Sequence, residues 1–136
     1  MLSHVTFGTG DLARSEAFYD AVLGAIGLVR RVVEPDGGPP CAAWHAAGAD
    51  MPRFYVYEPF DGAPAGAGNG SMVAFRAPSD AAVDAAHAAG LGAGGADEGA
   101  PGLRPHYAPD YYGAYLRDPD GNKVHLVHRA AWDEGG

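Results

Sequence analysis

Ser3-His4-Val5-Thr6-Phe7 and Ser71-Met72-Val73-Ala74-Phe75 read as the same strand written twice. Serine, valine and phenylalanine recur at a constant offset of 68 residues. The same offset lays Leu23-Gly24-Ala25-Ile26-Gly27 over Leu91-Gly92-Ala93-Gly94-Gly95. One such match arises by chance. Two at one offset, flanking a helical stretch in each half, point to duplication. The glycine-rich stretch ending at Gly70 joins the copies. The chain of 136 residues is the size of one domain. It divides into module one over about 1–60, a linker over about 61–70, module two over about 71–130 and a short tail.

Working outward, the first helix is expected from Asp11, a good N-cap, to Leu23, with Gly24 as its stop. Leu12, Phe18, Tyr19, Val22 and Leu23 fall on one side of it. The second helix is expected from Ser79 to Gly90, with a thinner stripe of Val83, Ala86 and His87. Strands are expected over 27–33, 42–47, 53–58, 111–117 and 123–128, with a weakly marked sixth strand near 95–98. Each half is then βαβββ. The fold class is α+β: two tandem modules forming a curved mixed sheet around a central cavity, with helices on the outer face.

Strand side chains alternate between faces. Val5, Phe7, Phe54, Val56, Val73, Phe75, Val124 and Leu126 are placed under the helices. His4, Tyr55, Tyr57, Met72, Lys123 and His125 then face the concave side. Asp118-Pro119-Asp120-Gly121-Asn122 is a hairpin turn, with proline at its first central position and glycine where φ is positive. Pairing Asp118 with Asn122 sets Tyr115 opposite His125. His4, Tyr57, Met72 and His125 form two pairs under the offset and are expected to converge. Arg76 and Arg117 share the concave register and are candidates to hold a carboxylate. His106, in the loop carrying Arg104-Pro105-His106-Tyr107, is a candidate general base.

The formal net charge is −8 and basic residues never cluster. That argues against nucleic acid and against anionic membranes as partners. No apolar run is long enough to span a bilayer. A single cysteine, Cys41, excludes an internal disulfide framework and fits a reducing cytoplasm. The N-terminal segment has no signal-peptide pattern. A small-molecule ligand is the expected partner.

The chain resembles the vicinal oxygen chelate superfamily, which includes glyoxalase I, extradiol dioxygenases, fosfomycin-resistance proteins and bleomycin-binding proteins. The resemblance runs from Ser3 to Arg129. It rests on His4-Val5 in the first strand, and on the helix Asp11-Leu12-Ala13-Arg14-Ser15-Glu16-Ala17-Phe18-Tyr19 with Leu23-Gly24. Val73-Ala74-Phe75 and the Asp118–Asn122 turn complete it. Within the superfamily the chain looks like the lactoylglutathione-lyase-like branch rather than authentic glyoxalase I. The resemblance implies a metal site built from His or Glu on the first, fourth, fifth and eighth strands, and a homodimer. His4 matches the first position, and His125 stands where the last strand usually presents glutamate. Met72 and Tyr57, or Tyr55 after a register slip, depart from the pattern.

Two functions follow as expectations. In the first, His4 and His125 hold a divalent metal (Zn, Ni, Mn or Fe), which polarises a vicinal-oxygen substrate of a lyase or isomerase. His106 or Tyr115 would then handle a proton. An extradiol-type dioxygenase is a weaker form of this, because its triad lacks a carboxylate here. In the second, the cavity is metal-free and sequesters an aromatic drug or metabolite with Tyr55, Tyr57, Met72, Arg76, Tyr115 and Arg117.

Overall fold

The structure, a computed structural model, describes residues 1–134. Its elements run β1 (His4–Gly8), α1 (Leu12–Gly24), β2 (Leu28–Arg31), β3 (Cys41–Ala46) and β4 (Arg53–Tyr57). They continue with β5 (Met72–Arg76), α2 (Asp80–Gly92), β6 (Ala96–Leu103), β7 (Tyr111–Arg117), β8 (Lys123–Arg129) and α3 (Ala130–Glu134). This is the α+β class with two tandem βαβββ modules. The strands divide between two four-stranded mixed sheets, ordered β1-β4-β3-β2 and β5-β8-β7-β6. In each sheet the first strand of the module lies parallel to its last.

Local chemistry explains the helix ends. The Asp11 side chain accepts from the Arg14 N–H at 3.1 Å, and Ser79 Oγ accepts from the Ala82 N–H at 3.0 Å. Each satisfies a backbone donor that has no partner inside the helix. The expected stop of α2 at Gly90 is corrected, because the helix continues to Gly92. A Cβ on Gly90 would lie 2.6 Å from Leu116 Cδ1 and 3.0 Å from Val22 Cγ2. Glycine stands there so that α2 can press against α1. The left-handed turn falls instead on Gly94, with φ of 93°. β6 is longer than the 95–98 expected. Its glycines offer little strand propensity, and pairing with β7 holds it in place, with register shifts on either side of Gly99. The tail beyond β8 opens with the short helix α3, a helix that the sequence pattern did not announce.

One apolar core serves both modules. It contains Phe7, Phe18, Tyr19, Trp44, Phe54, Val56, Phe75, Leu116 and Leu126, all buried. The rings of Phe54 and Phe75 meet edge to face at 5.1 Å across the modules. The turn before β8 fastens the halves together. The Tyr19 hydroxyl donates to Asp118 Oδ2 at 2.6 Å, and Asn122 Nδ2 donates to the carbonyl of Gly8 at 3.0 Å. Asp120 accepts from Thr9 Oγ1 at 2.6 Å and from the Gly10 N–H at 2.9 Å.

The hairpin register is the expected one. The Asp118 N–H donates to the Asn122 carbonyl at 2.9 Å, and Tyr115 stands opposite His125. The repeat needs one correction. Thr6 pairs with Tyr55, and its counterpart Ala74 pairs with His125. Tyr55, not Tyr57, is therefore the structural equivalent of His125. The last strands of the two modules stand two residues further apart than the first strands. A fixed offset read from β1 and β5 could not show this.

Candidate functional site

The concave-facing residues form two clusters, one on each sheet. On the first sheet, His4 is exposed, and its Nδ1 lies 3.0 Å from Ser3 Oγ. Its ring meets Tyr55 edge-on at 5.3 Å, and Tyr55 lies 5.7 Å from Tyr57. The Cys41 thiol beside Tyr57, together with burial, pushes that phenol up to about 12. Tyr57 thus keeps its proton across the physiological range.

The second cluster centres on His125, which is 1% exposed. Its ring stacks on Tyr115 at 4.1 Å and lies nearly parallel to Tyr111 at 5.8 Å. Nδ1 is 2.9 Å from the Ala114 carbonyl, and Nε2 is 2.7 Å from the Tyr111 hydroxyl. A carbonyl only accepts, so the hydrogen sits on Nδ1, and Nε2 accepts a hydrogen bond from the Tyr111 hydroxyl. Burial pushes the His125 pKa down, aided by the positive charges of Arg104 and Lys123 and opposed by the Ala114 bond. The imidazole is accordingly neutral at pH 7.

Tyr111 and Gly113 complete this cluster, and neither was singled out from the sequence. A signal for them existed. Tyr111, Gly113 and Tyr115 alternate along β7 and so share one face. A Cβ on Gly113 would lie 2.7 Å from His125 Cε1. Glycine leaves the space that the buried imidazole fills. Tyr112, between them, faces the core side and donates to Asp84 Oδ1 at 2.6 Å.

His4 stands on the first sheet and His125 on the second, and His4 lines a cavity with Val73, Ala74 and Phe75. A cavity of about 510 Å³ lies between β1 and the linker, lined by Thr6, Tyr57, Phe60 and Pro64 among others. Another, about 410 Å³, is lined by Met72, His106, Tyr107 and Tyr115. Met72 is 44% exposed at its edge. His106 is exposed, with its ring 4.2 Å from Tyr107. The two arginines named for a carboxylate each have a partner within the chain, which for Arg117 is itself a carboxylate. Arg117 Nε donates to Glu98 at 3.0 Å. Arg76 donates to the Trp132 carbonyl at 3.0 Å and lies over the Trp132 ring.

The donors do not fit the divalent metal that the resemblance implies. His125 spends both ring nitrogens inside the protein, and His4 stands on the other sheet. The positions equivalent to them hold a phenol, Tyr55, and a thioether, Met72. Among the described residues no three His, Cys, Asp or Glu side chains group closely enough to hold a metal ion. Oxygen and nitrogen donors in that number are what zinc, manganese and iron ask for.

The tandem βαβββ frame is the architecture that the sequence resemblance implies. The chain belongs to the glyoxalase/bleomycin resistance protein/dioxygenase superfamily, whose family model matches residues 1–126. Among solved structures it is similar to a glyoxalase/bleomycin resistance protein from Albidiferax ferrireducens T118. That match has a TM-score of 0.77 and 41% identity, over 95% of this chain and 98% of that one. The same fold is seen in TnmS3, an antibiotic binding protein from Streptomyces sp. CB03234, with a TM-score of 0.68 at 21% identity, over 96% of each chain. It is seen again in a lactoylglutathione lyase from Agrobacterium tumefaciens, with a TM-score of 0.65 at 21% identity, over 97% of this chain and 96% of that one. No curated protein matches the chain. Among the described residues no helix is long and apolar enough to cross a membrane.

Proposed function

We propose that this protein binds a planar aromatic small molecule without a metal, using the tyrosine-lined concave face around His125 and Tyr115. The observation that carries this reading is the closed hydrogen bonding of His125. A ligand to a metal needs a free lone pair, and the Nε2 lone pair is engaged by Tyr111 at 2.7 Å. An imidazole fixed between two phenols instead makes a rigid aromatic wall. Rigid aromatic surface binds flat ligands at a low entropic cost. The fold serves an antibiotic binding protein as well as a lyase, so binding alone lies within its range.

The working unit in this reading is a homodimer. Met72 and Val29 are each 44% exposed on the concave faces, and the two clusters stand on separate sheets. A second copy would set the His4–Tyr55–Tyr57 face of one protomer against the His125–Tyr115 face of the other.

The test is elemental mass spectrometry of tag-free protein purified without chelator, beside His4→Ala and His125→Ala. Substoichiometric metal in all three, with no uptake of added zinc, nickel, manganese or iron, is the expected result. Near-stoichiometric metal that both substitutions remove would overturn the proposal and restore the lyase or isomerase reading.

A further inference from the structure

Seventeen acidic residues face nine basic ones in this chain, so a cation without a carboxylate needs a reason. Arg14, Arg30, Arg31, Arg117 and Arg129 each have one within ion-pair distance. Arg53, Arg76, Arg104 and Lys123 do not, among the described residues, and of these four Arg104 and Lys123 point at one ring. The Arg104 guanidinium carbon lies 5.8 Å from the centroid of Tyr115, and Lys123 Nζ lies 5.0 Å from it. Both side chains line the cavity of about 410 Å³ that holds Met72, Tyr107 and Tyr115. The carboxylate that also lines it, Glu98, is already bonded to Arg117 at 3.0 Å. The cavity is therefore locally positive in a protein of net charge −8.

We infer that this cavity is an anion-binding subsite, and that the ligand is a planar aromatic compound carrying a carboxylate or similar compact oxyanion. The inference rests on the reading that the Tyr115 face is where the ligand binds, and it adds the ligand's charge.

The Arg104 fork is already positioned. It donates to the carbonyls of Gly102 at 3.0 Å and Ala100 at 2.8 Å, both neutral acceptors that hold the group without neutralising it. The Lys123 ammonium makes no hydrogen bond among the described residues, so it can turn to a ligand. Stacking on tyrosine accounts for either cation alone. Two like charges over one ring repel each other, and an anion bound between them would relieve that repulsion. Both charges also depress the pKa of His125 behind Tyr115, so their field reaches the aromatic wall. The Arg104 N–H groups that the two carbonyls leave free and the Lys123 ammonium together suit a two-oxygen anion. The ring attached to that anion would lie against Tyr107, Tyr115 and Met72.

The experiment compares 2-naphthoate with 2-naphthamide, which share a ring system and differ in charge. Each is titrated into the ¹⁵N-labelled full chain at low salt and followed by amide chemical shifts. The naphthoate is expected to bind ~10-fold more tightly and to shift Gly99, Gly102, Tyr115 and Lys123. Added salt should erode that preference. In Lys123→Gln and in Arg104→Gln the two affinities should approach parity. Dispersed amide spectra would show that both variants fold. Equal affinity for the two compounds in the unmodified protein would overturn the anion subsite and leave the aromatic wall standing. Binding of neither compound at millimolar concentration would overturn both.

Discussion

His125 shows how a single residue can match a sequence pattern and take another part. It lies on the concave face as strand alternation predicts, yet it is sealed between Tyr111 and Tyr115 with both nitrogens engaged. Tyr111→Phe should therefore destabilise the fold. It removes the donor to a buried lone pair that water cannot reach, at a cost of about 1–3 kcal/mol. Urea unfolding at pH 8, where His125 is neutral in folded and unfolded chains alike, measures this directly. An unchanged midpoint would show that the bond contributes nothing. His4 is exposed on the first sheet, and Tyr55 rather than Tyr57 mirrors His125. Arg104 and Lys123 illustrate the limit at this scale. Both were visible as residues, but their shared cavity is made by β5, β6, β7, β8 and the loop after β6 together.

Among the elements, α3 depends most on pH. His128 is buried, with Nδ1 2.7 Å from Asp80 at the start of α2 and Nε2 3.0 Å from Asp133 in α3. Asp80 raises the His128 pKa most, Asp133 adds to the rise, and burial opposes it. The folded state thus holds a proton that the unfolded chain releases. This stabilisation is complete below the usual histidine value of about 6.5 and is lost as pH rises through the elevated pKa. His125 acts in the opposite sense. Its lowered pKa withholds stability as pH falls below about 6.5. Together the two favour maximal stability near neutrality. Both carboxylates are more than half exposed, so the His128 effect is modest, about 2–4 °C in Tm. Thermal unfolding at pH 6 and pH 9 should show the native chain losing more than Asp133→Asn over that interval. Parallel losses would show that α3 is not docked through His128.

Across the whole molecule the turn from Asp118 to Asn122 is the staple between modules. Asp118 Oδ1 accepts from the N–H groups of Asp120 and Asn122, and its other oxygen accepts from Tyr19. Asp118→Ala would leave the buried Tyr19 hydroxyl without a partner and free the turn that carries Asp120 onto Gly10 and Arg14. A loss of about 2–4 kcal/mol is expected, which is large against the usual net stability of a domain. Chemical denaturation followed separately by amide signals from each sheet would register it. A loss below 1 kcal/mol would mean that the shared apolar core alone joins the modules.

Much of this was legible in the chain because it is written in local or periodic terms. Two caps, one hairpin turn and period-two alternation are short-range signals, and they placed the helices, the last hairpin and the split between core and concave faces. The duplication made the tandem modules visible, since one strand pattern repeats at a fixed distance. What the sequence left open depends on distances between segments far apart in the chain. The continuation of α2 through Gly90 follows from the closeness of Val22 and Leu116. The shift from Tyr57 to Tyr55 follows from ladder register. The separation of His4 from His125 follows from the division of the strands between two sheets. Whether a lone pair is free, or a cation lacks its carboxylate, is decided by neighbours that only tertiary packing brings within 3 Å.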